Sequence, residues 1–335
     1  MLKWCIIGGG GIADRRAIPA ILKDEGSMLC AIMERVPKRC EELAKKYGVP
    51  CFTDTREMLS AVECDAVYIG TPLGCHAEDM LCCLEFSKHV FIEKPFTMKA
   101  DEGRRIADMF IERDLQLTVG YMMKYHNLHK KAKEIISRGG IGRVNFVSAR
   151  FSCWYPETEG AWRQKRSLGG GGAVMDLGVH CLELCEEILG ERIVEINALL
   201  GNQTFGYEVE DGGAVIFRTE GGTLGTMIAS FNVPDAASES AFELYGTKGY
   251  LKARGTLSQE EAGTLSYLYS PQGEYNAEQG ASFLAPEIYA AGGEDIYKKQ
   301  IVDFRETIER GEREREFLER AIRVQELIDA IYRVK

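Results

Sequence analysis

At 335 residues the chain exceeds the size at which one hydrophobic core stops growing, so two domains are expected. Its apolar share of 45% and charged share of 27% are those of an ordinary globular protein, and no stretch is long and apolar enough to cross a bilayer. A formal net charge of −10 argues against nucleic acid as the main partner, because phosphate binding needs a basic field. Residues 1–4 lead straight into an apolar segment too short for a signal-peptide core, which gives a cytoplasmic expectation. The 11 cysteines are odd in number and scattered, without a Cys-x-x-Cys pair, and read as reduced, mostly buried thiols with no metal site.

The first run, residues 2–7, is apolar and ends in Gly8-Gly9-Gly10-Gly11-Ile12-Ala13, and residues 12–22 show helical spacing. Strand, tight turn and helix follow in the order that a dinucleotide site needs. Gly8, Gly10 and Ala13 fit Gly-x-Gly-x-x-Gly/Ala: the first glycine makes the turn, the second lets a pyrophosphate approach backbone N–H groups, and the third, small residue lets helix and strand pack. Gly11 and Ile12 complete the cofactor side of this turn. The next strand, residues 28–33, ends at Glu34, 21 residues past Ala13, where such folds place the acid for the adenosine ribose. Glu34 repels a 2′-phosphate and favours NAD, while Arg35 after it suits that phosphate and keeps NADP open; a solvated surface acid is the plainer reading of Glu34.

The α/β alternation continues with helix 37–47, strand 66–69, helix 76–86, strand 90–92 and strand 116–119, a doubly wound parallel sheet. Ligands of such sheets sit beyond the carboxyl ends of the strands. Two of those ends carry Thr71-Pro72-Leu73-Gly74-Cys75-His76 and Glu93-Lys94-Pro95. Thr71 and Pro72 line the cofactor side; His76 reads either as a cofactor contact or as a residue that caps or covers. Lys94, held beside a proline, is aimed at the crevice, where it would favour an alkoxide as hydride leaves or polarise a carbonyl in reverse.

Residues 121–138 read as a crossover helix, and the pattern then changes. Alternating runs at 144–152, 193–200, 213–218, 223–231 and 241–245 predict an open, largely antiparallel sheet. A helix over 172–189 covers one face, and the uncovered face predicts a homo-oligomer. Between them, the loop 155–164 carries Tyr155, Trp162 and Arg163, read either as contacts to a sugar ring, nicotinamide and pyrophosphate or as loop anchors. Asp176 and His180 follow the glycine run 169–172 at helical i,i+4 spacing, so the carboxylate can hold the imidazole in one tautomer for proton transfer near neutral pH. A capping aspartate and a structural histidine fit the same spacing. Helices at 295–310 and 317–332 close the chain.

With the 8–13 turn, Glu93-Lys94-Pro95 and the 169–180 segment in order, the chain resembles the Gfo/Idh/MocA oxidoreductase family end to end. The resemblance implies an α/β protein: a Rossmann domain over 1–122, then an α+β substrate-binding and oligomerisation domain over 123–335 whose C-terminal helices pack back on the first. It implies NAD(P)-dependent oxidation or reduction of a sugar, cyclitol or related polyol, in a homodimer or homotetramer. It assigns Lys94, Asp176 and His180 as the catalytic set, with Trp162 and Arg163 near the cofactor, and it implies a cis Lys94–Pro95 bond; Tyr155 is expected beside the substrate and Glu93 beside the cofactor. Two other readings share the fold, an NAD-dependent glycoside hydrolase and a non-catalytic dinucleotide or sugar sensor. Glu183 departs from the family pattern, which has Asp three residues past the histidine.

Overall fold

Strands buried on both faces need no polar side, and the short apolar runs of the first half pair accordingly. In the computed structural model, which describes residues 1–271 and 284–333, β1 (Leu2–Ile7), β2 (Ser27–Met33), β3 (Cys51–Phe52), β4 (Ala66–Ile69), β5 (His89–Ile92) and β6 (Leu117–Val119) form one sheet. Every pairing is parallel, in the order β3-β2-β1-β4-β5-β6. Strand order reverses between β1 and β4, which opens the binding crevice at their carboxyl ends. The first unit comprises Met1–Tyr121, Lys165–Gly170 and Tyr297–Glu326. Phe304, on helix Ile296–Glu309, packs its ring 5.1 Å from Trp4 and edge-on to Phe91 at 5.5 Å. Arg305 on the same helix donates to Asp24 at 2.8 Å.

The second unit comprises Met122–Gln164, Gly171–Ile296 and the chain from Leu327 onward. Its strands are β7 (Val144–Ser152), β8 (Ile193–Gly201), β9 (Gly212–Thr219), β10 (Leu224–Ser230), β11 (Ala241–Gly246), β12 (Gly249–Arg254), β13 (Thr264–Tyr269) and β14 (Glu287–Ala290). They form one sheet in the order β14-β13-β12-β11-β7-β10-β9-β8, antiparallel except for β7 with β10. Helix Val179–Leu189 packs against β7 and helix Asn127–Ser137. Its Glu186 carboxylate accepts from Ile193 N at 3.0 Å, which ties the end of the helix to β8.

Several elements differ from the sequence expectation. The helix expected over 12–22 begins as a π-turn, Ala13–Ala17, and is α only over Ile18–Lys23; the one expected over 172–189 begins as a π-turn, Val174–Gly178. Wide turns of this kind recur at functional sites, and hydrophobic spacing does not distinguish them from α turns. The 121–138 segment is a 3₁₀ turn, Met122–Tyr125, followed by helix Asn127–Ser137, with His126 Nδ1 accepting from Leu128 N as its cap. Helices Thr55–Ala61 and Ala100–Glu112 and strands β3, β12, β13 and β14 were not anticipated. The expectation of reduced thiols fails at one pair: Cys40 and Cys51 are joined by a disulfide. Helix Pro37–Tyr47 ends at left-handed Gly48, and the chain then doubles back to bring the two cysteines together across 11 residues. The other cysteines are free. Among the described residues no helix is long and apolar enough to cross a membrane.

Burial keeps three histidines neutral. It lowers His76 and His89 to about 4 and His129 to about 3. Each would gain a proton on unfolding below its ordinary value of about 6.5, so each stabilises the fold above that pH and loses the contribution as pH falls toward its native value. Asp79, pushed up to about 6 by burial, acts in the opposite sense and offsets one of them. The net expectation is a fold that weakens between pH 6.5 and pH 4. Urea midpoints at pH 7, 6 and 5 should fall in that order; a midpoint independent of pH would contradict the burial argument.

Candidate active site

The turn that ends β1 is built for close backbone approach. Gly8 has φ of +78°, and a Cβ there would stand 2.8 Å from both the Thr71 backbone nitrogen and its methyl carbon, so only glycine fits. Gly8 N and Gly9 N both donate to Met33 O at 3.0 Å, which fixes the turn to the end of β2. Glu34 follows directly; its Oε1 accepts from Val36 N at 3.2 Å, and its Oε2 lies 4.0 Å from Arg39 Nε. The same Arg39 guanidinium lies over Gly10, where a Cβ would meet its Cζ at 2.7 Å. Arg39 was not in the sequence-derived site, because a basic residue on an exposed helix reads as solvated; its only signal was its position five residues past Glu34. Arg35 lies near Cys75, on the loop that follows β4, where its charge works against the effect of burial on the thiol.

The strand-end loops at β4 and β5 are tied together. The His76 ring is buried, with Nε2 3.0 Å from Thr71 O and Nδ1 3.2 Å from Phe96 O. The neutral ring has one N–H and so donates to one of these two carbonyls. The Thr71 hydroxyl donates to Asp79 at 2.6 Å, so its proton is already committed. Pro72 leads into the turn Leu73–Cys75. At the end of β5, Glu93 is buried and accepts from the Tyr68 hydroxyl at 2.5 Å, the Lys94–Pro95 bond is cis, and Lys94 is half-buried. Tyr68, inside an all-apolar strand, gave no sign of this role.

In the second unit the structure brings Tyr155, Trp162, Arg163 and Asp176 together. Arg163 donates to Asp176 Oδ1 at 3.1 Å, its guanidinium lies 4.2 Å from the centroid of the Trp162 ring, and Tyr155 lies near it. Burial alone would lower the Arg163 pKa, but the Asp176 charge and hydrogen bond outweigh it and raise the value, so the ion pair persists. Tyr155 in turn packs on Phe231 at 5.0 Å. His180 is buried, with the Phe151 ring edge-on at 6.2 Å. Glu183 is completely buried, which favours a neighbouring protein group over a substrate hydroxyl as its partner. Lys94 lies in the first unit, and Asp176 and His180 lie in the second.

A doubly wound sheet with this turn and an acid at the end of β2 is the architecture of a dinucleotide-binding protein, and the residues present fit that ligand: Gly8 and Gly10 leave the space a Cβ would fill, and Glu34 is held at the end of β2. Two family models match the chain: an oxidoreductase family with an NAD-binding Rossmann fold over residues 2–121, and the GFO/IDH/MocA C-terminal domain over residues 129–252. The chain belongs to the GFO/IDH/MocA oxidoreductase family, as an NAD(P)-dependent enzyme of the sugar oxidoreductases. It is 28% identical to a 1,5-anhydro-D-fructose reductase of Ensifer adhaerens, over 82% of each chain. Its fold is similar to that of a 3-ketoreductase from Actinomadura kijaniata in complex with TDP-benzene and NADP, with TM-score 0.87, 24% identity, and 99% of this chain and 97% of that one covered. It is also similar in fold to a levoglucosan dehydrogenase in complex with NADH and levoglucosan, with TM-score 0.84, 21% identity, and 99% and 96% coverage.

The turn gives a discriminating prediction. A Cβ on Gly10 meets only the flexible end of Arg39, so Gly10→Ala should fold normally yet weaken NADH binding about tenfold or more, because the pyrophosphate loses its approach. Gly8→Ala should instead lower the melting temperature, since left-handed backbone costs a residue with a Cβ about 1–2 kcal/mol before any clash. Calorimetry and fluorescence titration of both variants separate the two effects.

Proposed function

We propose that the enzyme transfers a hydride reversibly between nicotinamide and a hydroxyl-bearing carbon of a sugar, cyclitol or related polyol, with Lys94, Asp176 and His180 as its catalytic set. When bound, the nicotinamide supplies or accepts the hydride. His180 takes the hydroxyl proton in the oxidative direction and returns it in the reductive one. Asp176 fixes the imidazole's orientation, and Arg163 holds the Asp176 side chain in place. Lys94 stabilises the negative charge that develops on the substrate oxygen. The observation that carries this reading is the built environment of Asp176, whose carboxylate is fixed by a partly buried guanidinium one helical turn before His180. His180→Ala and Lys94→Ala should each lower turnover by about 10²–10⁴, the usual worth of acid–base help, while NADH affinity changes little. Steady-state assays on a panel of sugars and inositols, in both directions and with each cofactor, provide the measurement; near-parental turnover removes that residue from the mechanism.

Glu34, at the end of β2, supports NAD as the preferred form, since a carboxylate at that position in the fold repels a 2′-phosphate. Tighter binding of NADPH than NADH would overturn that preference.

We also propose a homodimer or homotetramer formed through the open face of the second sheet. Ile216, Ile228 and Leu224 are 61%, 47% and 45% exposed, and the pairing of β10 with β7 and β9 sets Leu224 beside Phe146 and Thr226 beside Ile216. Apolar side chains grouped in this way mark an interaction surface. Light scattering at micromolar concentration should give a multiple of the 37.4 kDa chain mass, and Ile216→Glu with Ile228→Lys should shift it to the monomer.

A further inference from the structure

The start of a helix leaves its first backbone N–H groups without partners inside the helix. In the segment that leads to Asp176 and His180 these are the N–H groups of Gly172, Ala173 and Val174, and one distant residue takes all of them. Glu210 Oε1 accepts from Gly172 N at 2.9 Å and from Val174 N at 3.1 Å, and the Glu210 carbonyl accepts from Ala173 N at 3.2 Å. The same Oε1 accepts from the Tyr332 hydroxyl at 2.5 Å. Glu210 is 7% exposed, so these bonds are made in a setting where losing any of them leaves a buried group unsatisfied.

The glycines make this contact possible. A Cβ on Gly172 would stand 1.9 Å from the Glu210 carbonyl oxygen, and one on Gly171 would stand 2.0 Å from the Tyr332 hydroxyl. No side chain could be accommodated without moving the segment off Glu210. The neighbouring Asp211 anchors the other side: its carboxylate accepts from Gln203 N, Thr204 N, Phe205 N and Asn232 Nδ2. Glu210 is therefore held in a fixed frame, and the segment 172–174 hangs from it. A carboxylate at this end of a helix is also electrostatically favourable.

We propose that Glu210, braced by Tyr332, is a positioning residue for the reaction: it sets the height and rotation of the 172–180 segment and so the aim of Asp176 and His180. This rests on the catalytic reading of His180. The Asp176 carboxylate and the His180 ring lie within about two turns of the clamp. A misplacement of about 1 Å can cost about 10²-fold in rate.

The test uses the full-length enzyme and two readouts. The chain has only 5 histidines, so the His180 ring proton can be assigned in NMR spectra by its loss in H180A. Glu210→Ala and Tyr332→Phe should move the His180 resonance and its titration while leaving those of His76 and His89 in place. Turnover should fall about 10–10²-fold with NADH affinity retained. Glu210→Gln, which keeps an acceptor oxygen, should recover most of the loss. Adding Glu210→Ala to His180→Ala should cost nothing further, because the two act through one group. An unmoved His180 resonance, or an equal loss in both backgrounds, overturns the proposal. If Glu210→Ala does not fold, Tyr332→Phe, which removes a single hydroxyl, carries the same comparison. Parental turnover in His180→Ala overturns the catalytic reading alone, and the NMR comparison still decides whether Glu210 sets the ring.

Discussion

Backbone N–H groups at the start of a helix must find acceptors, and the two glycine runs of this chain meet that demand in opposite ways. At residues 8–13 the turn is fastened to the end of β2 through Met33 O, and its glycines leave room for a pyrophosphate. At residues 169–172 the glycines leave room for protein instead: Tyr332 presses against Gly171 and Glu210 against Gly172, and Glu210, braced by the Tyr332 hydroxyl, takes the N–H groups. One run is shaped for a ligand, the other for rigidity in the segment that bears the proposed acid–base groups. Similar sequences thus serve different ends, and the difference lies in what the surrounding fold puts above them.

Around both runs, polar groups that the sequence scatters are fixed in pairs. Tyr68 holds Glu93, Thr71 holds Asp79, and the His76 N–H holds one of the two carbonyls its ring faces, Thr71 or Phe96. Each bond lies at a strand end of the parallel sheet, where loops would otherwise be the least constrained part of the molecule. In the second unit Arg163 does the same for Asp176 while lying over the Trp162 ring. Such support matters for catalysis because reacting groups gain most when they do not have to reorganise during the reaction. Both ring nitrogens of His76 face carbonyl oxygens, and because burial disfavours the charged form its single N–H serves one of them.

Length, periodicity and the spacing of small residues were enough to read the parallel sheet, the position of the glycine turn and the change to a second, mostly antiparallel sheet, because each depends on local patterns of burial and turn chemistry. Helix Pro37–Tyr47 and strands β1, β4 and β7 fall on their expected limits for that reason. The order Gly8 to Ala13, Glu34, Lys94, Asp176, His180 was also legible, since the separation of motifs along the chain is itself the signal. What escaped was every feature made by groups far apart in sequence: Arg39 reaching over Gly10, Tyr68 on Glu93, Arg163 on Asp176, and Glu210 with Tyr332 at Gly172. The π-turns at Ala13–Ala17 and Val174–Gly178 escaped too, because a wide turn follows from what packs beside it more than from its own residues. The Cys40–Cys51 pair belongs with them, being joined only once the chain has turned back at Gly48. By itself the sequence determined the kind of fold, and it supplied the residues proposed to carry the chemistry. Only the tertiary structure decided which neighbour orients each of them, because a hydrogen bond between residues 38 or 122 positions apart is specified by packing geometry and leaves no trace in spacing.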